Sequence, residues 1–118
     1  MVARSLIPRL TDIIEAIERV NGVLAVATLE EFENDWQRQW LVERGVEIIS
    51  EASRRLPAQL RNSQPQIDWK PILGIGNVLR HEYDQIIDSI IYDAVRNKLP
   101  ALKVAILAID ANLHEPEE

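Results

Sequence analysis

Apolar residues recur at intervals of three and four along almost the whole chain, and this spacing predicts α-helices. The first apolar stripe covers about Leu6–Asn21, and Gly22 after it is typical of a helix end. A second helix is predicted to begin after Thr28, because Thr28 and Glu31 have the spacing of a capping box. Its apolar stripe continues to Pro57, which predicts one long helix of about seven or eight turns.

The second half of the chain predicts two more helical segments after a loop. The loop spans residues 57–66, which include two Pro and an Asn-Ser pair. Asp68 is placed to cap a third helix, with Pro71 in its first turn. The last segment, residues 84–113, is predicted to break near Asn97–Pro100, because Pro100 removes a helical hydrogen bond.

These elements predict an all-α fold. No strand-type alternation persists and no segment repeats, so four to five helices in an antiparallel bundle account for the pattern. A length of 118 residues fits one domain over residues 1–118, with residues 113–118 as a frayed tail. A bundle of this size has a limited core, which favours a homodimer.

Composition narrows the function classes. The chain lacks Cys, which excludes a disulfide scaffold, a thiolate metal site and a Cys nucleophile. The formal net charge of −6 argues against DNA or RNA binding driven by overall charge, so contact with RNA must use a local site. No apolar run approaches the ~20 residues that span a membrane, and the N-terminal residues lack a signal-peptide pattern. The sequence therefore predicts a cytoplasmic protein without a membrane segment.

Two small groups of residues carry structural expectations. Trp36 and Trp40 lie one helical turn apart and are expected in the core or in a dimer seam, rather than as a platform for stacking bases. Gly74 and Gly76 each disfavour a helix interior by ~1 kcal/mol relative to Ala. Two such residues in one predicted helix indicate close packing against another backbone, or a kink.

The densest group of reactive side chains lies where the third helix meets the last segment. On helical spacing, Asn77, Arg80 and His81 share one broad face. This set suits phosphodiester cleavage, because His moves a proton near neutral pH, Arg stabilises phosphate charge and Asn orients either group or the ribose. The same residues also fit an ordinary exposed helix end. No metal or cofactor is predicted, since the other His, His114, lies in the tail and the glycines follow no strand.

The order of features along the chain resembles the HepT-like family of HEPN domains, the toxin half of prokaryotic toxin–antitoxin pairs. The resemblance covers nearly the whole chain. Its segments are residues 10–17 (LTDIIEAI), Phe32 with Asp35, residues 49–52 (ISEA), residues 69–72 (WKPI) and residues 76–83 (GNVLRHEY).

The resemblance implies a helical bundle, a metal-independent RNase and a homodimer that brings two motifs together. It also implies a nucleotidyltransferase antitoxin, which in some pairs adenylylates the motif Tyr. The family motif is an Arg, a following polar residue, a His five positions after the Arg and a Tyr two further on. These positions are Gly76, Asn77, His81 and Tyr83 in this sequence, so the Arg is replaced.

The replacement of the motif Arg leaves several functions open. Arg80 lies one helical turn after Gly76 and beside His81, so its long side chain is a candidate substitute. Alternatively, the chain is a degenerate HEPN-like module that binds nucleotide, RNA or its antitoxin without cleavage, or a purely structural helical dimer. Tyr83 is likewise either a packed residue with its hydroxyl at the rim or the acceptor of an AMP group.

Overall fold

A computed structural model describes residues 2–81 and 85–114, and these residues form seven α-helices and no strand. The all-α prediction is therefore confirmed, with five long helices and two of five residues each. The helices are α1 (Val2–Leu24), α2 (Leu29–Glu33), α3 (Trp36–Arg54), α4 (Ala58–Asn62), α5 (Trp69–His81), α6 (Gln85–Asn97) and α7 (Leu99–His114).

The two central helices are α1 and α3. Helix α1 packs against α3, α6 and α7, and α3 packs on its other side against α5. Nearly all of the largest fully buried side chains come from α1, α2, α3, α6 and α7, and they include Leu10, Ile13, Ile17, Phe32, Ile49, Ile91, Leu102 and Ile106. One apolar core therefore holds the bundle together.

The end of α1 lies slightly beyond the predicted stop at Asn21 and Gly22. The helix continues to Leu24, which is buried, and the carbonyl of Leu24 and that of Ala27 in the following loop find a partner on α6. The Arg96 guanidinium donates to the carbonyl oxygens of Leu24 (3.0 Å) and Ala27 (2.8 Å). A cation at this position also suits the negative end of the α1 dipole.

The prediction of one helix from Thr28 to Pro57 is wrong, because the chain breaks between α2 and α3. The capping box at the start of α2 is confirmed, with Thr28 Oγ1 accepting from the Glu31 amide at 3.1 Å. The break arises because Asp35 Oδ1 accepts hydrogen bonds from the amides of Gln37 (3.1 Å) and Arg38 (3.2 Å) and starts a new helix. Gln39 Nε2 stabilises the junction by donating to the carbonyl oxygens of residues 32 and 33.

The break also changes the environment of the two tryptophans. Trp36 and Trp40 are 59% and 67% exposed, so of the two expected positions the core is excluded and the dimer seam stays a prediction. Their rings meet edge to face at a centroid distance of 5.1 Å. The new helix instead turns Val42, Val46 and Ile49 toward the core.

The predicted loop over residues 57–66 contains a short helix, α4, which begins after Pro57. Trp69 ties this segment to α5, because its Nε1 donates to the carbonyl oxygens of Arg61 (3.0 Å) and Gln64 (3.2 Å). Helix α5 begins directly after Asp68, as predicted, and Pro71 lies in its first turn.

The predicted break near Asn97–Pro100 is confirmed at Lys98, which separates α6 from α7. Helix α7 continues through His114, and residues 115–118 of the predicted frayed tail lie outside the described residues. Within the described ranges, no helix is both long enough and apolar enough to span a membrane.

Candidate active site

Helix α5 carries the residues that the sequence singled out. The backbones of Asn77, Arg80 and His81 lie in the C-terminal half of this helix, which ends at His81. Their side chains lie outside the described part of the molecule, and so does the whole of Tyr83. The structure therefore confirms a helical setting for the first three residues and leaves the composition of the site a prediction.

Contacts with α3 fix the position of α5. Ser50 on α3 is 1% exposed, and its Oγ donates to the carbonyl oxygen of Leu73 on α5 at 3.2 Å. Satisfying the buried hydroxyl in this way holds the two helices in register. Leu73 lies one turn before Asn77, so the contact anchors the turn that precedes the candidate catalytic residues.

The two glycines of α5 border different cavities. Gly76 is buried and lines a groove of about 560 Å³ together with residues of α1 and α3. Gly74 lines a second cavity of about 710 Å³, mostly apolar, between α3, α5 and α6. A Cβ added at Gly74 meets no atom of the described residues within 4 Å, so close packing against another backbone is excluded at this position and a kink stays a prediction. The close approach in the core occurs at Gly45, against Val20.

The groove beside Gly76 is rich in arginine. We call it the arginine groove, and define it by four arginines: Arg9 on α1, Arg44 and Arg54 on α3, and Arg55, which directly follows α3. Three carboxylates, those of Asp12, Glu47 and Glu51, also line it. Among its described lining residues, cationic side chains therefore outnumber anionic ones by one, in a chain whose net charge is −6.

Most charges of the arginine groove are paired. Glu51 accepts a 2.7 Å hydrogen bond from Arg54 Nη2 and lies 3.1 Å from Arg55 Nη2. The Arg54 hydrogen bond and the charges of both arginines lower the pKa of Glu51, so it stays ionised at neutral pH. Arg44 lies 3.8 Å from Glu47. No carboxylate of the described residues lies within 4 Å of the Arg9 guanidinium.

Sequence reasoning did not find the arginine groove. From the sequence, Arg54 and Arg55 are interpretable only as cations near the end of a helix, where they suit the helix dipole; Arg54 is the last residue of α3 and Arg55 is its cap. Arg9 is 35 positions from Arg44 along the chain, and their proximity depends on how α1 packs against α3. No local signal in the sequence encodes that packing.

A candidate metal centre does not emerge from the described residues. Among the side chains that the structure describes, no three of His, Cys, Asp or Glu are grouped closely enough to hold a metal ion.

Comparisons with known proteins identify relatives whose names describe them as ribonucleases. A protein of Thermococcus cleftensis named "Probable ribonuclease HepT" is 32% identical over 94 residues, which are 80% of this chain and 86% of the relative. A protein of Methanocaldococcus jannaschii named a "Putative RNase" is 36% identical over 91 residues, 77% of this chain and 75% of the relative. A third, from Caldanaerobacter subterraneus and also named a "Putative RNase", is 33% identical over 87 residues, 74% of each chain.

No solved structure matches the chain. The family model described as "Ribonuclease HepT-like" matches residues 13–109, which include all of α2 to α6 and most of α1 and α7. The resemblance seen in the sequence is thereby confirmed. The chain belongs to the HepT-like ribonuclease family.

Proposed function

We propose that this protein is a toxin-type endoribonuclease that cleaves RNA without a metal ion, at a site shared between two copies of the chain. Membership of the HepT-like ribonuclease family is the observation that carries the proposal. The sequence supports it by retaining Asn77 and His81 of the family motif, and the structure by placing both positions on one helix.

The proposed reaction uses the RNA itself as the nucleophile. The ribose 2′-oxygen attacks the neighbouring phosphorus while the bond from phosphorus to the 5′-oxygen breaks. At the shared site, His81 of one copy takes the proton from the 2′-hydroxyl and His81 of the other copy supplies a proton to the leaving 5′-oxygen. Arg80 neutralises charge that develops on the phosphate, and Asn77 orients the ribose or the imidazole. The products are a 2′,3′-cyclic phosphate and a 5′-hydroxyl, and no metal or other cofactor enters the balance.

Because Gly76 replaces the motif Arg, the role proposed for Arg80 can be tested by substitutions at these two positions. If Arg80 takes over phosphate stabilisation, Arg80→Ala lowers the rate of RNA cleavage by ~10²–10³-fold, the usual effect of removing one such donor. The assay uses purified protein with EDTA present, so that contaminating metal nucleases are inactive. A strong gain from Gly76→Arg together with no loss from Arg80→Ala contradicts the role of Arg80.

A catalytically degenerate module is the second candidate, and the observation that favours it is Gly76 at the Arg position of the motif. Such a module binds RNA, nucleotide or its partner without cleavage. Growth of cells that express the protein distinguishes the two candidate functions. A toxin inhibits growth when it is expressed alone and loses this effect with His81→Ala, whereas a binding module is harmless in both forms.

We further propose that the partner is a nucleotidyltransferase antitoxin acting with it in the cytoplasm, and that Tyr83 is the residue it modifies. Transfer of AMP to the Tyr83 hydroxyl adds a phosphate charge and bulk two residues from His81. Both effects oppose RNA binding. A neighbouring nucleotidyltransferase gene and a Tyr83–AMP adduct in mass spectra of the co-expressed protein are the expected observations. An unmodified Tyr83 after co-expression contradicts the modification.

A further inference from the structure

The arginine groove brings positively charged side chains from distant parts of the chain together around an open volume. Its four arginines come from α1, from α3 and from the residue that follows α3, and they meet beside Gly76, where α5 contributes backbone without a side chain. The groove therefore stays open to about 560 Å³ instead of being filled. Excess arginine around an open volume is typical of anion binding.

We propose that the arginine groove binds the phosphate backbone of RNA and that Arg9 makes the principal contact. The inference rests on the proposed function in one respect, that the polyanion is RNA. Guanidinium groups present a planar fork that matches two phosphate oxygens, and such charge-assisted pairs are stronger than neutral hydrogen bonds.

Charge pairing within the groove singles out Arg9. Glu51 accepts from Arg54 and Arg55, and Glu47 lies opposite Arg44, so these arginines already have carboxylate partners. Arg9 has none within 4 Å among the described residues, although Asp12 lines the same groove. A phosphate that binds Arg9 therefore does not need to displace a carboxylate.

The surroundings of Arg9 strengthen this contact. Arg9 is partly buried, whereas Arg19 on the same helix is exposed and lies 3.9 Å from Glu15. A charge that is partly removed from water interacts more strongly with a phosphate and is screened less by salt. Because the whole chain is acidic, phosphate binding is expected to concentrate at this local excess of positive charge.

The test compares Arg9→Gln with Arg19→Gln, a matched control that removes the same charge from the same helix. The probe is a fluorescein-labelled, single-stranded RNA of mixed sequence with 2′-O-methyl riboses, which cannot be cleaved through the 2′-oxygen. Fluorescence anisotropy measures its affinity in EDTA over a range of salt concentrations. Circular dichroism melting shows that each variant is folded.

Arg9→Gln is expected to weaken binding about tenfold at low salt, the effect of losing one charge-assisted contact. It also lowers the slope of log affinity against log salt by about 0.7, the value for one phosphate contact to a single strand. Arg19→Gln stays within about twofold of the wild type. Arg9→Lys keeps the salt slope and loses part of the affinity, because an ammonium lacks the guanidinium fork.

Equal binding by Arg9→Gln and Arg19→Gln overturns the inference, and so does a wild-type protein that does not bind the RNA. The outcome is separable from that of the proposed function, because cleavage is measured in parallel on unmodified RNA. If RNA binding depends on Arg9 but the protein does not cleave RNA, the arginine groove is supported and the proposed nuclease activity is contradicted. If the wild type cleaves RNA and Arg9→Gln binds it as tightly as the wild type, the proposed nuclease activity is supported and RNA binding by the arginine groove is contradicted.

Discussion

Two carboxylates between α3 and α6 are held in surroundings that disfavour their charge. Burial raises the pKa of Asp88, and the negative charge of Glu33 raises it further. Burial likewise raises the pKa of Glu43, with added contributions from Asp88 and Glu47. Gln39 Nε2 donates to Asp88 Oδ2 at 3.2 Å, but this neutral donor does not offset the burial. The folded state therefore binds a proton at each site more tightly than the unfolded chain does.

This difference predicts how stability changes with pH. Because the pKa of Asp88 is raised by folding, its contribution makes the free energy of unfolding fall as the pH rises from the unfolded pKa through the folded one. Asp88→Asn removes that loss and is expected to raise the melting temperature at pH 7 by about 1–3 °C, since the site is only partly buried. The measurement is thermal melting by circular dichroism between pH 4 and pH 7.

The control is Asp93→Asn, which removes the same charge from an exposed position of the same helix. It is expected to leave the pH profile of the melting temperature close to that of the wild type. Equal profiles for Asp88→Asn and wild type contradict the explanation by burial.

At the scale of helices, local chemistry in the sequence predicted some boundaries and missed others. The capping box at Thr28 and the break beside Pro100 depend on residues close in sequence, and both are confirmed. The break at Asp35 was missed because Phe32, Trp36 and Trp40 continue the apolar spacing across it. In the folded chain both tryptophans are exposed, which shows that this run of apolar positions does not face a single core.

In the candidate site too, features that depend on residues close in sequence could be predicted, and features that depend on tertiary packing could not. The motif placed Asn77 and His81 on a helix, and the structure confirms that setting for their backbones. The arginine groove could not be predicted, since it depends on how α1 packs against α3 beside Gly76. That arrangement follows from tertiary packing, which residue spacing within a single helix does not record.

Glycine substitutions test the helix packing directly. A Cβ at Gly45 would overlap Val20 Cγ1, which is attached to a stiff, β-branched side chain that is only 1% exposed. Gly45→Ala is therefore expected to lower the free energy of unfolding by ~1–3 kcal/mol. Gly74→Ala meets open space and is expected to raise it by up to ~1 kcal/mol, because Ala favours the helix. Urea unfolding measures both, and equal effects from the two substitutions contradict the packing of α1 against α3.

At the scale of the whole molecule, exposed apolar side chains bear on the proposed homodimer. Trp36, Trp40 and Leu41 form an exposed apolar group at the start of α3, with exposed fractions of 59%, 67% and 61%. Since the tryptophans are not part of the core, the dimer seam is the structural role that remains from the sequence interpretation. Aromatic residues are enriched in the centres of such interfaces.

The expected consequence is a loss of association when both tryptophans are replaced. Wild type is expected at twice the chain mass of 13.5 kDa in size-exclusion chromatography with light scattering, and Trp36→Gln/Trp40→Gln at the single-chain mass. RNA cleavage is lost with the dimer, because the proposed site needs both copies. Val104→Gln, at an exposed apolar position on α7, is the control and leaves both unchanged. A wild type that migrates as a single chain contradicts the shared site.

The most direct measurement is cleavage of RNA by the purified protein in EDTA, compared with cleavage by His81→Ala. The wild type is expected to produce fragments ending in a 2′,3′-cyclic phosphate. His81→Ala is expected to cleave at least ~10²-fold more slowly while remaining folded. A wild type without activity, or a His81→Ala variant as active as the wild type, contradicts the proposed nuclease.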